Sequence, residues 1–189
     1  MKYIVILGDG MADLPIESLG GKTPLQAAKK PTMDYLASNG EMGMVKTVPD
    51  GIAPGSDVAN LSVMGYDPTK YYTGRSPLEA VSIGAKLAEG DVTYRVNTVT
   101  LSDEEDFSKK TMLDYSADEI SSAEGAQLMD TIRKEFGSDT IEFYAGTSYR
   151  NLMVMHGGSL NSTLTPPHDI SKRVIGDYLP KGDYADLLL

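Results

Sequence analysis

The chain opens on an apolar run. Residues 2–7, Lys-Tyr-Ile-Val-Ile-Leu, are nearly unbroken in hydrophobicity and rich in β-branched side chains, the pattern of a strand covered on both faces in a parallel α/β sheet. A polar connection rich in Gly and Pro leads on to Gly21. Thr23-Pro24 supplies a cap and a first helical position, and Pro31 divides the segment up to Gly40 into two helical pieces, the second ending at Asn39-Gly40. Residues 41–48 form a second apolar run and read as a second strand. The usual handedness of a βαβ unit then predicts two parallel strands with their carboxyl ends on one sheet edge.

Residues 49–60, Pro-Asp-Gly-Ile-Ala-Pro-Gly-Ser-Asp-Val-Ala-Asn, break the pattern with a loop of special backbone geometry. Val58, Ala59, Leu61 and Met64, closed by Gly65, predict a short helix with Ser56 as its N-cap. Ser76-Pro77 starts another. Residues 91–101 alternate as a strand does, with Thr93, Arg95, Asn97 and Val99 on one face and Val92, Tyr94, Val96 and Thr98 on the other. After Leu101 a charged turn, Ser-Asp-Glu-Glu-Asp, reads as a solvated hairpin or linker. A short strand is expected over 111–115, then a helix opened by a Ser121…Glu124 capping box and stopped by Gly137. Leu128, Ile132 and Phe136 predict its buried stripe. Residues 140–145 and 149–156 read as two strands around a Gly-Thr-Ser turn, which makes a β-α-β-β module distinct from the parallel-sheet half. A short helix is expected from Ile170. No internal repeat or low-complexity tract is present.

Composition narrows the function classes. A length of 189 residues suits one domain, or a part-domain plus a smaller one, and an apolar share of 41% supports a packed core. The absence of cysteine excludes a disulfide framework and thiolate metal ligands. No apolar run reaches transmembrane length, and Met1-Lys2 leads directly into the first strand rather than into a signal peptide, so a cytoplasmic protein without a membrane partner is expected. The net charge of -10 argues against nucleic acid as a partner. It also opposes long-range steering of an anionic substrate, so anion capture has to be local.

Candidate chemistry sits at a few positions. Asp9, between Gly8 and Gly10 just past the first expected strand, is either a hard-cation ligand or a simple Asp-Gly turn. Ser56, at a helix start, is either an ordinary cap or a nucleophile favoured by free N–H groups and the helix dipole. On one sheet edge, a metal ion could bridge Asp9 and Ser56 and lower the hydroxyl's pKa. Arg75, before a helix start, is a phosphate or carboxylate contact or a solvated charge. Arg150, at a strand start after a tight turn, has the geometry for a bidentate clamp on an anion. His168, in the stiff stretch Thr-Pro-Pro-His-Asp, suits ligand contact or proton transfer, whereas His156 before two glycines reads as structural.

Several of these motifs together resemble a known family. Gly8-Asp9-Gly10-Met11-Ala12-Asp13, Thr23-Pro24-Leu25-Gln26-Ala27-Ala28, Pro54-Gly55-Ser56-Asp57-Val58-Ala59, Gly65-Tyr66-Asp67-Pro68 and Tyr72-Thr73-Gly74-Arg75-Ser76-Pro77-Leu78-Glu79-Ala80 look like the cofactor-independent phosphoglycerate mutases of the archaeal type, in the alkaline phosphatase superfamily. The resemblance runs in order to about Asn97 and more loosely through Gly146–Arg150 and 165–169. It implies an α/β fold: the N-terminal part of a parallel sheet sandwich over 1–96, a smaller α+β insertion domain over 97–170, and the start of a return over 171–189. It implies interconversion of 3-phosphoglycerate and 2-phosphoglycerate through a phosphoserine at Ser56, without bisphosphoglycerate. Asp9 and Ser56 would be metal ligands, and Arg75, Arg95, Arg150 and His168 substrate contacts; for Arg95 the alternative is an exposed charge paired with a nearby acid. Two divalent ions are implied, Mn²⁺ foremost, with Mg²⁺, Co²⁺ or Zn²⁺ as alternatives. A two-metal site needs several His and carboxylate ligands around ions about 4 Å apart, yet the chain has two histidines. The expectation is therefore an N-terminal fragment that lacks downstream ligands, is inactive by itself and is a possible homo-oligomer through an exposed sheet edge. Another metal-dependent phosphoester hydrolase or phosphomutase of the superfamily, or a non-catalytic binding fragment, are the alternatives.

Overall fold

The computed structural model describes residues 1–189, which divide into two compact units, Met1–Thr47 and Val48–Leu189. In the first unit, a one-turn 3-10 helix at Glu17–Leu19 is framed by a bridge between Ile16 and Lys22. Helix α1 (Pro24–Ala27) has the expected Thr23 cap: the Thr23 hydroxyl accepts from the Gln26 N–H while the Gln26 side chain accepts from the Thr23 N–H. Helix α2 (Pro31–Asn39) begins at Pro31 and ends at Gly40, with Lys30 and Asp34 paired at 2.6 Å. Residues 2–7 and 41–48 form no strand, contrary to the sequence reading. A strand needs a neighbour to take up its N–H and C=O groups, and β-propensity reflects packing more than an intrinsic backbone preference. Neither run has such a neighbour, no residue of this unit is buried, and Tyr3, Ile4, Ile6, Met42 and Met44 are exposed.

The second unit holds the core. Helices α3 (Ser56–Val63), α4 (Pro68–Tyr71) and α5 (Arg75–Ser82) precede strand β1 (Val92–Asn97). Strands β2 (Thr100–Leu101) and β3 (Met112–Asp114) form a small antiparallel hairpin around the charged turn. Helix α6 (Ser122–Phe136) runs from its Ser121 cap to Gly137 as expected. Strands β4 (Ile141–Thr147) and β5 (Arg150–Met155) come next, and β6 (Ser162–Thr163) pairs with β7 (Lys181–Gly182). In place of the helix expected from Ile170, 3-10 turns occur at Pro167–Ile170 and Ile175–Tyr178.

The main sheet is antiparallel in the order β1-β5-β4. β5 is central and buried from Asn151 to Met155. Directly paired residues share a face, so the register Thr93↔Val154, Arg95↔Leu152 and Asn97↔Arg150 puts Arg95 and Arg150 on one face with Leu152 and Val154. On that face Ala80 and Ala85 pack with Leu152, Val154 and Tyr144. A second cluster joins Met112, Ile170 and Ile175 to Val99, Leu101 and Tyr178.

Helix α6 buries Gly125 and Met129; of the stripe predicted from Leu128, Ile132 and Phe136, Ile132 is half-buried while Leu128 and Phe136 are exposed. The cause is a close approach. A Cβ on Gly125 would lie 2.8 Å from the Ser148 carbonyl oxygen, and Ser148 is anchored beside it, its N–H donating to Ser122 Oγ at 3.0 Å and its hydroxyl to the Ile120 carbonyl at 2.7 Å. The glycine face therefore turns toward the β4–β5 turn and rotates the apolar stripe by one position.

Candidate functional site

Ser56, expected as the cap, is instead the first residue of α3 and is exposed; the cap is the extended Gly55. Its N–H remains one of those left free at a helix start. The next side chain, Asp57, is almost enclosed, with 10% of its surface exposed. Its carboxylate accepts from the Tyr72 hydroxyl at 2.5 Å and from Arg75 Nε at 3.4 Å. Burial pushes the Asp57 carboxyl up, but the bonds from Tyr72, Arg75 and the Val58 N–H, with the Arg75 charge, outweigh it and hold it below the ordinary value. Burial first, and then the Asp57 bond and charge, push the Tyr72 hydroxyl up to about 12, so it stays a neutral donor at physiological pH.

Helix α5 is tied to the sheet by Ser76, whose hydroxyl donates to the Thr93 carbonyl at 2.9 Å and accepts from the Thr93 hydroxyl at 2.8 Å. Its cap, Gly74, has φ 125° and ψ 171°, a conformation essentially confined to glycine. Arg75 thus leaves a fixed corner.

A cavity of about 560 Å³ lies among these elements, lined by Gly55, Asp57, Tyr72, Arg75, Ser76, Thr93, Arg95, Asn97 and the stretch Leu164 to His168. It brings together Arg75, Arg95 and His168 with the two residues that flank Ser56. Arg95 Nε is buried without a hydrogen-bond partner, and its nearest acid is Glu79 at 3.9 Å. His168 is half exposed and stands edge-on to Tyr115 at 6.2 Å.

Arg150 lines a neighbouring cavity of about 230 Å³ with Glu79, Ser82, Ile83, Thr147 and Asn151. An aromatic relay joins it to His168: its guanidinium lies 5.5 Å from the centre of the Tyr149 ring, which meets Tyr115 at 5.9 Å. Asp9 belongs to the first unit, where it is exposed in the Asp9-Gly10 turn. Sequence reasoning passed over Asp57, Tyr72 and Glu79 as site residues, although all three stand inside the motifs that carry the family resemblance; an acid next to a candidate nucleophile was the available signal.

His156 is structural in its setting. Its Nδ1 lies 3.0 Å from Asp91 and its Nε2 3.5 Å from Glu142, so it clips the edge of β4 to the residue that precedes β1. The Asp91 bond, with the Glu142 bond behind it, raises its pKa against a smaller opposing effect of burial. No three His, Asp or Glu side chains stand together as a metal-binding group. The donors on this chain therefore do not by themselves fit a two-metal site.

In this mixed α/β chain, two arginines and a histidine thus gather beside the start of the Ser56 helix. The family described as 2,3-bisphosphoglycerate-independent phosphoglycerate mutase matches residues 37–188, and the chain belongs to that family. A probable 2,3-bisphosphoglycerate-independent phosphoglycerate mutase of Geobacter sulfurreducens is 54% identical over 189 residues, 100% of this chain and 47% of the relative. The 2,3-bisphosphoglycerate-independent phosphoglycerate mutase of Methanosarcina barkeri is 50% identical over 98% of this chain and 46% of its own. Among solved structures, a cofactor-independent phosphoglycerate mutase from Thermoplasma acidophilum aligns at a TM-score of 0.50 and 30% identity, over 94% of this chain and 47% of that one. A protein from Pyrococcus horikoshii aligns at 0.62 and 32%, over 79% and 36%. These likenesses agree with the α/β class, and the chain spans about half the length of the curated relatives it matches. No helix is long and apolar enough to cross a membrane.

Proposed function

We propose that this chain carries the serine-bearing part of a phosphoglycerate mutase, an isomerase that interconverts 3-phosphoglycerate and 2-phosphoglycerate without bisphosphoglycerate. The observation that carries this reading is the cavity in which Arg75, Arg95 and His168 meet the start of the Ser56 helix. At its edge, Ser56 Oγ attacks the phosphorus of the bound monoester. The Oγ–P bond forms as the bond from phosphorus to the glycerate oxygen breaks, and that oxygen keeps the electron pair and takes the proton released by Ser56. After glycerate turns, its other hydroxyl attacks the phosphoserine, the Oγ–P bond breaks, and the proton returns to Ser56. Arg75 and Arg95 neutralise phosphoryl charge, the free N–H groups of α3 add partial positive charge, Arg150 holds the carboxylate, and His168 contacts the glycerate.

Divalent ions of the kind the family resemblance implies, Mn²⁺ foremost, would polarise the phosphoryl oxygens when bound. Asp9 and Ser56 are the ligands this chain would offer, and the others would come from the part of the relatives' length that it does not span. We assign residues 1–96 to the phosphatase-like domain, 97–170 to a substrate-binding insertion and 171–189 to the return, in a cytoplasmic glycolytic enzyme that associates with itself.

The test is isomerisation of 3-phosphoglycerate with Mn²⁺ and no bisphosphoglycerate, run on the 189-residue chain and on a protein of the relatives' full length. Turnover is expected in the longer protein, and Ser56→Ala should lower it by at least about a thousandfold. Normal turnover by that variant would sink the proposal. A second reading, a binding unit that does not turn over alone, is favoured by the absence of any grouped set of three donors; phosphoglycerate binding by the short chain without turnover is its signature.

A further inference from the structure

Glu79 occupies an unusual place. It stands on α5, whose first turn is fixed to β1 by the two Ser76–Thr93 hydrogen bonds. From there its carboxylate reaches toward Arg95, but the approach is only 3.9 Å and forms no hydrogen bond, so the buried Arg95 Nε is left without a partner. A buried donor seldom remains unpaired in a native protein. Glu79 also lines the smaller cavity with Arg150, and the sheet register puts Arg95 and Arg150 on the same face of the sheet. One carboxylate thus approaches Arg95 and also lines the cavity that holds Arg150.

We infer that Glu79 is an internal competitor for Arg95, a carboxylate that occupies the arginine loosely until an anionic ligand displaces it and takes the vacant Nε. This rests on the reading that Arg95 contacts the ligand's anionic group. The loose pairing is what gives the device its use. A weak anion does not repay the loss of the Glu79 contact, whereas a dianionic phosphoryl group does, so Glu79 selects for charge as well as shape. A structural salt bridge would instead be short, hydrogen-bonded and complete at Nε.

Inorganic phosphate binding to the 189-residue chain, measured by titration calorimetry, tests the inference. Glu79→Gln is expected to tighten phosphate binding about fivefold, the scale of one partly exposed ion pair, and to leave it unchanged when Arg95→Ala is already present. Glu79→Asp keeps the charge but shortens the reach, and it should also tighten binding, which separates pairing from the general field and serves if the Gln variant folds poorly. Unchanged or weaker binding in both variants makes the pair structural and overturns the inference. So does a gain that persists with Arg95→Ala, or a chain in which no variant binds phosphate. The mutase reading stands or falls separately, on isomerisation by the longer protein and its Ser56→Ala variant.

Discussion

Two apolar runs of β type meet opposite fates. Residues 2–7 have no strand beside them, and Ile4 and Ile6 are 84% and 86% exposed; β5 lies between β1 and β4, and Leu152 and Val154 are 1% and 0% exposed. Both runs read as strands, and the exposed one, Lys-Tyr-Ile-Val-Ile-Leu, is the more apolar of the two. The difference lies in neighbours. β5 receives a ladder on both edges, α5 over one face and short local connections to β4, whereas the first run has nothing adjacent to pair with. Strand character in a sequence is thus a demand for partners rather than a description of a strand.

The contrast between the two runs can be attacked at several scales. Hydrogen exchange should give the largest difference: amides of residues 2–7 and 41–46 exchange as in an unstructured peptide, while those of β5 exchange only through global unfolding. Protection in residues 2–7 of the isolated chain would break the comparison. Next in size, Leu152→Ala should cost about 3 kcal/mol in urea unfolding while Ile6→Ala costs less than about 0.5 kcal/mol. Equal costs would show that the first run is packed after all.

Gly74→Ala forces a side chain into a glycine conformation and should cost about 2 kcal/mol. Because Gly74 caps the helix that carries Arg75, phosphate affinity should fall with stability. Thr23→Ala removes a hydroxyl cap in the coreless unit. It should cost about 1 kcal/mol of local helix stability and leave the urea midpoint of the second unit unchanged.

The finest contrast is in pH. With its pKa raised by Asp91 and Glu142, His156 contributes its full share of stability below its unfolded-state value near 6.5 and loses it as pH rises through the higher folded value. Asp91 and Glu142 are held below their ordinary values. The Ala88 N–H comes first and then His156 for Asp91, and the Tyr144 hydroxyl first for Glu142, where burial opposes it before His156 adds to the lowering. Both therefore contribute above the unfolded carboxylate range and lose that share as pH falls through their folded values. The clip is strongest between roughly pH 4.5 and 6.5. His156→Gln should flatten the pH dependence of stability on the alkaline side of that window, measured by thermal unfolding across pH; an unchanged profile would show that the clip contributes nothing to stability.

Much of the local architecture was legible. The Thr23 and Ser121 caps, the breaks at Pro31 and Gly137, the charged hairpin turn and the strands around Gly146 to Tyr149 all arise from short-range chemistry, and the structure has them. The family was legible too, because its motifs occur in order along the chain. The stripe of α6 was not, since Leu128 and Met129 are both apolar and the approach of the Ser148 carbonyl to Gly125 chooses between them.

For the site, the residue types were readable: Ser56 after a Pro-Gly corner, Arg75 in its glycine-bounded turn, Arg95 on an alternating strand, and His168 after a pair of prolines. Their grouping was not. The sequence by itself determined where helices begin and end and which side chains carry charge, because caps, prolines and glycines act within a few residues. Only the tertiary structure decided that β1 joins β5 and places Arg95 beside Glu79, that Asp57 holds Tyr72 and Arg75, and that Arg150 faces a neighbouring cavity. Those outcomes depend on which segments pack together over long separations in the chain, and short-range pattern carries no record of that choice.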